Sequence, residues 1–152
     1  MVKIRVVGLR RKARIAALKI LYEIDCSSHK AEEVLTRTLK ESSLPEPTAD
    51  FARELINGVI QDKQAIDSEI RRFAPIFPLE QLAAIDRSIL RLAIYEILFD
   101  SQVPVKVAVN EAVDLAKSFG SDSSPKFING VLGSIIANSD RLITGCERTK
   151  PL

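Results

Sequence analysis

Apolar residues recur at helical spacing along almost the whole chain, and one stretch departs from the amphipathic pattern by being apolar on nearly every side. Residues 85–99 contain no Gly or Pro, and Ile85, Ile89, Leu90, Leu92, Ala93, Ile94, Ile97, Leu98 and Phe99 cover most of a helical wheel. A helix apolar all round is a buried one. The stretch is too short for a membrane span, and its charges Asp86, Arg87, Arg91 and Glu96 speak against one. It reads as a central post against which other helices pack. Its charged residues must find partners or reach the rim.

The other segments are amphipathic. A first helix is predicted from near Arg10 to about Asp25, with Ala13, Ala16, Ala17, Ile20, Leu21 and Ile24 on one stripe. A second runs over about 29–41 with Ser28 as its cap, burying Val34, Leu35, Thr38 and Leu39. A third is capped by Thr48 and continues to about Phe73, with Gly58 marking a close helix crossing. Pro75 and Pro78 divide the chain into halves of about 10–74 and 78–143, and residues 79–84 lead into the post. Pro104 opens a further helix that ends at Gly120, and Ser124-Pro125 caps a last one reaching about Leu142. Residues 1–9 read as an extension and 144–152 as a tail. Sustained period-two alternation is missing, so the predicted fold class is all-α.

A chain of 152 residues with 46% apolar and 28% charged residues can bury a core without a metal or disulfide. Cys26 and Cys146 stand in no metal or redox spacing, which suits free thiols in a reducing compartment. The run Val6-Val7-Gly8-Leu9 is too short for a signal-peptide core, so a cytoplasmic location is expected.

Charge changes this picture. Lys3, Arg5, Arg10, Arg11, Lys12, Arg14 and Lys19 make the first 19 residues basic with no acid, whereas the remainder carries 15 basic against 20 acidic residues. A basic head on an acidic body suits a polyanion partner. On the first helix Arg11, Lys12, Lys19 and Tyr22 fall opposite the apolar stripe, and Arg10 and Arg14 flank it. Two readings fit Tyr22: a ring that stacks on an unpaired base, or one tucked against another helix.

Catalytic signatures are missing. His29 is the lone histidine and sits beside Ser and Lys near a helix start. No Gly-rich phosphate loop, nucleophile elbow or metal-ligand cluster is found. Asn110-Glu111 and Asn129-Gly130 read as structural hydrogen-bonding pairs. A non-enzymatic protein without cofactor or metal is expected.

Three stretches resemble the NusB family of bacterial transcription antitermination factors. Arg10-Arg11-Lys12-Ala13-Arg14 with Ala17-Leu18 and Leu21-Tyr22 resembles its opening. Ile85-Asp86-Arg87 and Ile89-Leu90-Arg91-Leu92-Ala93-Ile94-Tyr95-Glu96 resemble its central helix. Val109-Asn110-Glu111-Ala112 through Lys117-Ser118-Phe119-Gly120, followed by Ser124 and Lys126-Phe127-Ile128-Asn129-Gly130-Val131-Leu132, is similar to its C-terminal signature. Gly133, where the family often has an acid, and Pro125 before Lys126 depart from the pattern.

The resemblance implies about seven helices in two small subdomains around the buried post. It implies binding to the boxA RNA of ribosomal RNA operons together with NusE, a small-subunit ribosomal protein that docks mainly on the C-terminal half, within the RNA polymerase antitermination complex. By the family's pattern Arg10, Arg11, Lys12 and Arg14 meet RNA, with Lys19 and Tyr22 beside them and Ser124, Lys126 and Phe127 adding to the face. Phe127 also lies on the apolar stripe of the last helix. Asp86 and Arg87 are expected at the RNA rim, with Arg91 and Glu96 holding neighbouring helices in register. The alternatives are an interaction scaffold or homodimer that covers this face, or the RNA-binding part of a ribosomal RNA methyltransferase, of which this chain would be a fragment.

Overall fold

The structure, a computed structural model, describes residues 2–76, 78–100 and 102–138. It contains α1 (Val2–Cys26), α2 (Ala31–Ser42), α3 (Glu46–Gln61), α4 (Lys63–Phe73), α5 (Ala84–Ile94), α6 (Val105–Phe119) and α7 (Ser124–Asn138). A 3-10 turn (Leu79–Gln81) precedes α5, and a π-helical segment (Tyr95–Asp100) continues it. No strand occurs among the described residues, as the periodicity predicts.

Several boundaries differ from the sequence reading. Helix α1 begins at Val2 rather than near Arg10, so the extension is largely helical. Gly8 is the only breaker there, and its cost of about 1 kcal/mol does not stop a helix. The single helix expected over 48–73 is two, divided at Asp62, which takes φ −100° and ψ 15°. Its start lies at Glu46, with Pro45 rather than Thr48 in the cap position. Lys30, not Ser28, precedes α2; the Ser27 hydroxyl accepts the His29 N–H and donates to the Glu23 carbonyl. The predicted end of the last helix near Leu142, the tail and Cys146 lie outside the described residues.

The post is buried as expected: residues 88–94 and 96–98 are all inaccessible to solvent or nearly so. Helix α1 packs on it and on α3, and Ala13, Ala17, Leu18 and Ile20 on α1 are completely buried. Complete burial of Leu18 and of Ile20 contributes about 1.5–3 kcal/mol each.

The post's charges do hold neighbours in register. Arg91 donates to both carboxylate oxygens of Asp67 on α4, at 2.8 and 3.1 Å, and to Asp25 on α1 at 3.2 Å. Glu96 accepts from Arg14 on α1. Gly58 gives α3 its close approach to the post: a Cβ there would lie 2.1–2.3 Å from the Tyr95 ring. Among the described residues no helix is long and apolar enough to cross a membrane.

Candidate nucleic-acid interface

Helix α1 distributes its cations by direction. With 100° per residue, Arg11, Lys12, Lys19 and Tyr22 all lie within about 60° of Ile15, whereas Arg10 points to the far side. The structure follows this geometry. Lys12 and Lys19 are exposed and have no ion-pair partner among the described residues, and Tyr22 is 42% exposed. These three, with Arg11 and Ile15, form the open face of α1.

Arg11 is half exposed but engaged. Its guanidinium donates to Glu111 at 2.8 and 3.1 Å and to Asp114 at 3.1 Å, both on α6. The hydrogen bond and charge of Glu111 raise its pKa further above the usual arginine value. Arg10 is exposed, with its guanidinium carbon 4.6 Å from the centroid of the Phe51 ring.

Arg14 departs from the expectation that it meets RNA. It is only 3% exposed and donates from Nε and Nη2 to the two carboxylate oxygens of Glu96, each at 2.9 Å, with a further bond to Glu111 at 3.4 Å. Its hydrogen-bonding edge is used up inside the protein. Glu111 is thus structural through the arginine side chains of α1 and not through backbone, while Asn110 and Asn129 are exposed and not part of a buried network.

Arg87, expected at the RNA rim, is also engaged inside the protein. It donates to Asp25 on α1 and to the carbonyls of Leu79 and Leu82, at 3.0 Å each, tying the turn before α5 to the end of α1. It therefore contacts α1 at the end remote from the basic head, and not as part of a rim. Asp86 is half-buried, with one carboxylate oxygen enclosed and without a hydrogen-bond partner.

Ser124 is 1% exposed, and its hydroxyl accepts the Ser121 N–H at 2.9 Å. Gly120 makes this turn possible, since a Cβ there would stand 2.5 Å from Ser124 Cβ and Oγ. Ser124 shapes the loop between α6 and α7 and presents no hydroxyl to a ligand. Lys126 is exposed and Phe127 half-buried; they line a hollow with Phe73, Ala74, Pro75 and Ile76 at the end of α4, apart from the α1 hollows. Phe127 also packs against the core, so its place on the apolar stripe was informative.

Phe119 adds an aromatic ring beside the α1 face that its place on the α6 stripe does not by itself predict. It is 38% exposed at the end of α6 and lines a hollow with Arg11, Ile15 and Ser118. The available signal was its position in the last turn before Gly120, where a stripe residue runs out of core to cover it.

Residues 11–137 match the NusB family. The chain belongs to the NusB family. A relative from Dehalococcoides mccartyi (strain ATCC BAA-2266 / KCTC 15142 / 195), described as transcription antitermination protein NusB, is 53% identical over 126 residues, covering 83% of this chain and 88% of that protein. The NusB relative from Bacillus pumilus (strain SAFR-032) is 41% identical over 126 residues, covering 83% and 93% of the two chains. Among solved structures, NusB of T. maritima superposes with a TM-score of 0.82 at 32% identity, over 91% of this chain and 96% of that one. The NusB fold is therefore present, as the three motifs implied. A crystal structure of the antitermination factors NusB and NusE in complex with double-stranded RNA contains a chain that matches with a TM-score of 0.79 at 25% identity, covering 86% of this chain and 97% of that one.

Proposed function

We propose that this protein is a cytoplasmic transcription antitermination factor that binds the boxA RNA of ribosomal RNA operons together with NusE, and so joins the RNA polymerase antitermination complex. The observation that carries the reading is the open face of α1, where Lys12, Lys19, Arg11 and Tyr22 stand together with Phe119 at its edge. Cations hold phosphates, and exposed aromatic rings give unpaired bases a surface on which to stack. The relative solved with NusE and RNA supports the same pairing of partners.

NusE docks on the C-terminal half in this reading. The hollow of about 310 Å³ where α7 meets the end of α4 is open to such a partner: Phe127 and Val131 of the C-terminal half line it together with Phe73 and the 84% exposed Ile76, so NusE in this reading also touches the end of α4. The first half, residues 10–74, then carries the RNA face on α1, and the second, 78–143, carries most of the NusE contact.

The test is titration of labelled boxA RNA, with and without NusE, at two salt concentrations. Binding should weaken steeply with salt, and Lys12→Glu with Lys19→Glu should reduce both affinity and the salt slope, the slope by roughly one for each phosphate that is no longer neutralised. Unchanged affinity in that double variant would refute the assignment of the α1 face.

A further inference from the structure

The open face of α1 has a second wall. Between α1 and the end of α2 lies a hollow of about 320 Å³, lined by Lys12, Ile15, Ala16, Lys19, Thr38, Glu41, Ser42 and Leu44. Its two sides differ in chemistry. On the α1 side stand Lys12 and Lys19, two helical turns apart, or roughly 10 Å along the axis. On the α2 side stands the carboxylate-bearing, carbonyl-rich end of a helix. The final turn of a helix carries carbonyls without intrahelical partners and the negative end of the macrodipole. One of these, Leu39 O, is taken by the Ser42 hydroxyl at 2.9 Å. Ser43 then turns the chain away with a left-handed φ of 54°. Between the two sides the lining is Ile15, Ala16 and Leu44.

This combination selects its occupant. An acidic peptide would meet Lys12 and Lys19 but be repelled by Glu41 and the α2 terminus. A single nucleotide suits both sides, because it joins an anionic phosphate to a flat base that carries N–H donors. An ionised carboxylate only accepts hydrogen bonds. Among the RNA bases guanine alone offers two adjacent N–H groups, N1–H and N2–H, that meet both oxygens of one carboxylate. We propose that this hollow holds one unpaired guanine of the bound RNA, with its flanking phosphates on Lys12 and Lys19, its ring over Ile15 and Leu44, and its N1–H and N2–H groups on Glu41. Glu41 is then the residue that reads the base, while α1 supplies affinity without sequence. The proposal rests on the RNA-binding reading of the α1 face and assigns α2 a part in specificity.

The experiment uses the full chain with NusE and fluorescein-labelled boxA RNA, beside versions in which each guanine in turn is replaced by inosine, which lacks the N2 amino group. For the parent protein one such replacement should weaken binding by about 5- to 100-fold, the usual discrimination of a bidentate base contact. Glu41→Gln should bind the unmodified RNA more weakly and lose that discrimination, so that parent and inosine RNAs bind alike. Glu41 is exposed, and a circular-dichroism spectrum checks that the variant keeps its helices. If Glu41→Gln ranks the RNAs as the parent protein does, or if no inosine replacement matters, the guanine site is wrong while the RNA-binding face stands. If the parent protein with NusE binds none of the RNAs, the functional reading fails and takes the site with it.

Discussion

Arg14 and Glu96 are joined across the interior by two parallel hydrogen bonds of 2.9 Å, with side chains 4% and 3% exposed. The pair clamps α1 to the π-helical end of the post. A buried ion pair of this kind adds little net stability over a well-packed apolar pair, but removing one partner strands the other charge. Glu96→Ala should therefore destabilise the protein by roughly 3–5 kcal/mol, read as a lowered urea midpoint with an unchanged slope. Arg14→Ala should cost a comparable amount. Neither should alter the salt slope of RNA binding in the fraction that remains folded, since Arg14 faces no solvent. A reduced salt slope for Arg14→Ala would return Arg14 to the RNA face.

Gly58 lies beneath the Tyr95 ring, where an added Cβ would approach ring atoms to 2.1–2.3 Å. Helix propensity alone makes Gly→Ala stabilising by about 1 kcal/mol. Here overpacking opposes it, at typically 1–3 kcal/mol, because the Tyr95 ring or α3 must shift to admit the Cβ. Gly58→Ala should lower the thermal midpoint, and Gly58→Ala combined with Tyr95→Ala should show a coupling that relieves the clash. A higher midpoint for Gly58→Ala alone would show that the ring gives way without cost.

The post was legible because its pattern is local: apolar residues on every side of one uninterrupted stretch have only one place to go. The open face of α1 was legible for the same reason, since Arg11, Lys12, Lys19 and Tyr22 share an angular sector whatever surrounds them. Arg14 was not. The wheel puts it at the edge of the stripe, and whether an edge cation turns inward depends on Glu96, 82 positions further along the chain. Arg87 escaped for a similar reason, its partners being Asp25 and two carbonyls of a short turn. The break at Asp62 has no Gly or Pro to announce it, and the switch to a π-helix at Tyr95 leaves hydrophobic periodicity almost untouched. In each case a tertiary contact decided what local chemistry left open.

Asp25 ties the pH dependence of stability to the post. Burial works to raise its pKa, but hydrogen bonds and charge from Arg87 and then Arg91 outweigh that and hold it below the usual value. A carboxyl whose folded pKa is depressed stabilises the fold above its unfolded pKa, near 3.9, and loses that contribution as pH falls through the folded value. The acid limb of the stability curve should therefore include a loss that begins around pH 4 and continues below it. Asp25→Asn should lower stability at neutral pH and make that limb shallower. Denaturant titrations at several acidic pH values measure the slope, and an unaltered slope in the variant would mean that Asp25 does not carry it.

Asp114 and Glu111 compete with RNA for Arg11. Asp114 holds the Arg11 guanidinium at 3.1 Å, with side chains 46% and 52% exposed, so solvent screens the pair and its energy is small. It nevertheless places a negative charge beside the face proposed to receive phosphates. Asp114→Asn should free one side of Arg11, remove that repulsion and raise RNA affinity by up to about fivefold at low salt, the scale of one exposed ion pair. The gain should shrink at high salt, where the Debye length falls below the charge separation. Glu111 is a different case, because it is buried and also bonds Arg14, so Glu111→Gln should reduce stability along with any gain in binding. RNA titrations of Asp114→Asn at two salt concentrations decide the matter: weaker binding at low salt would mean that Asp114 orients Arg11 for RNA rather than withholding it.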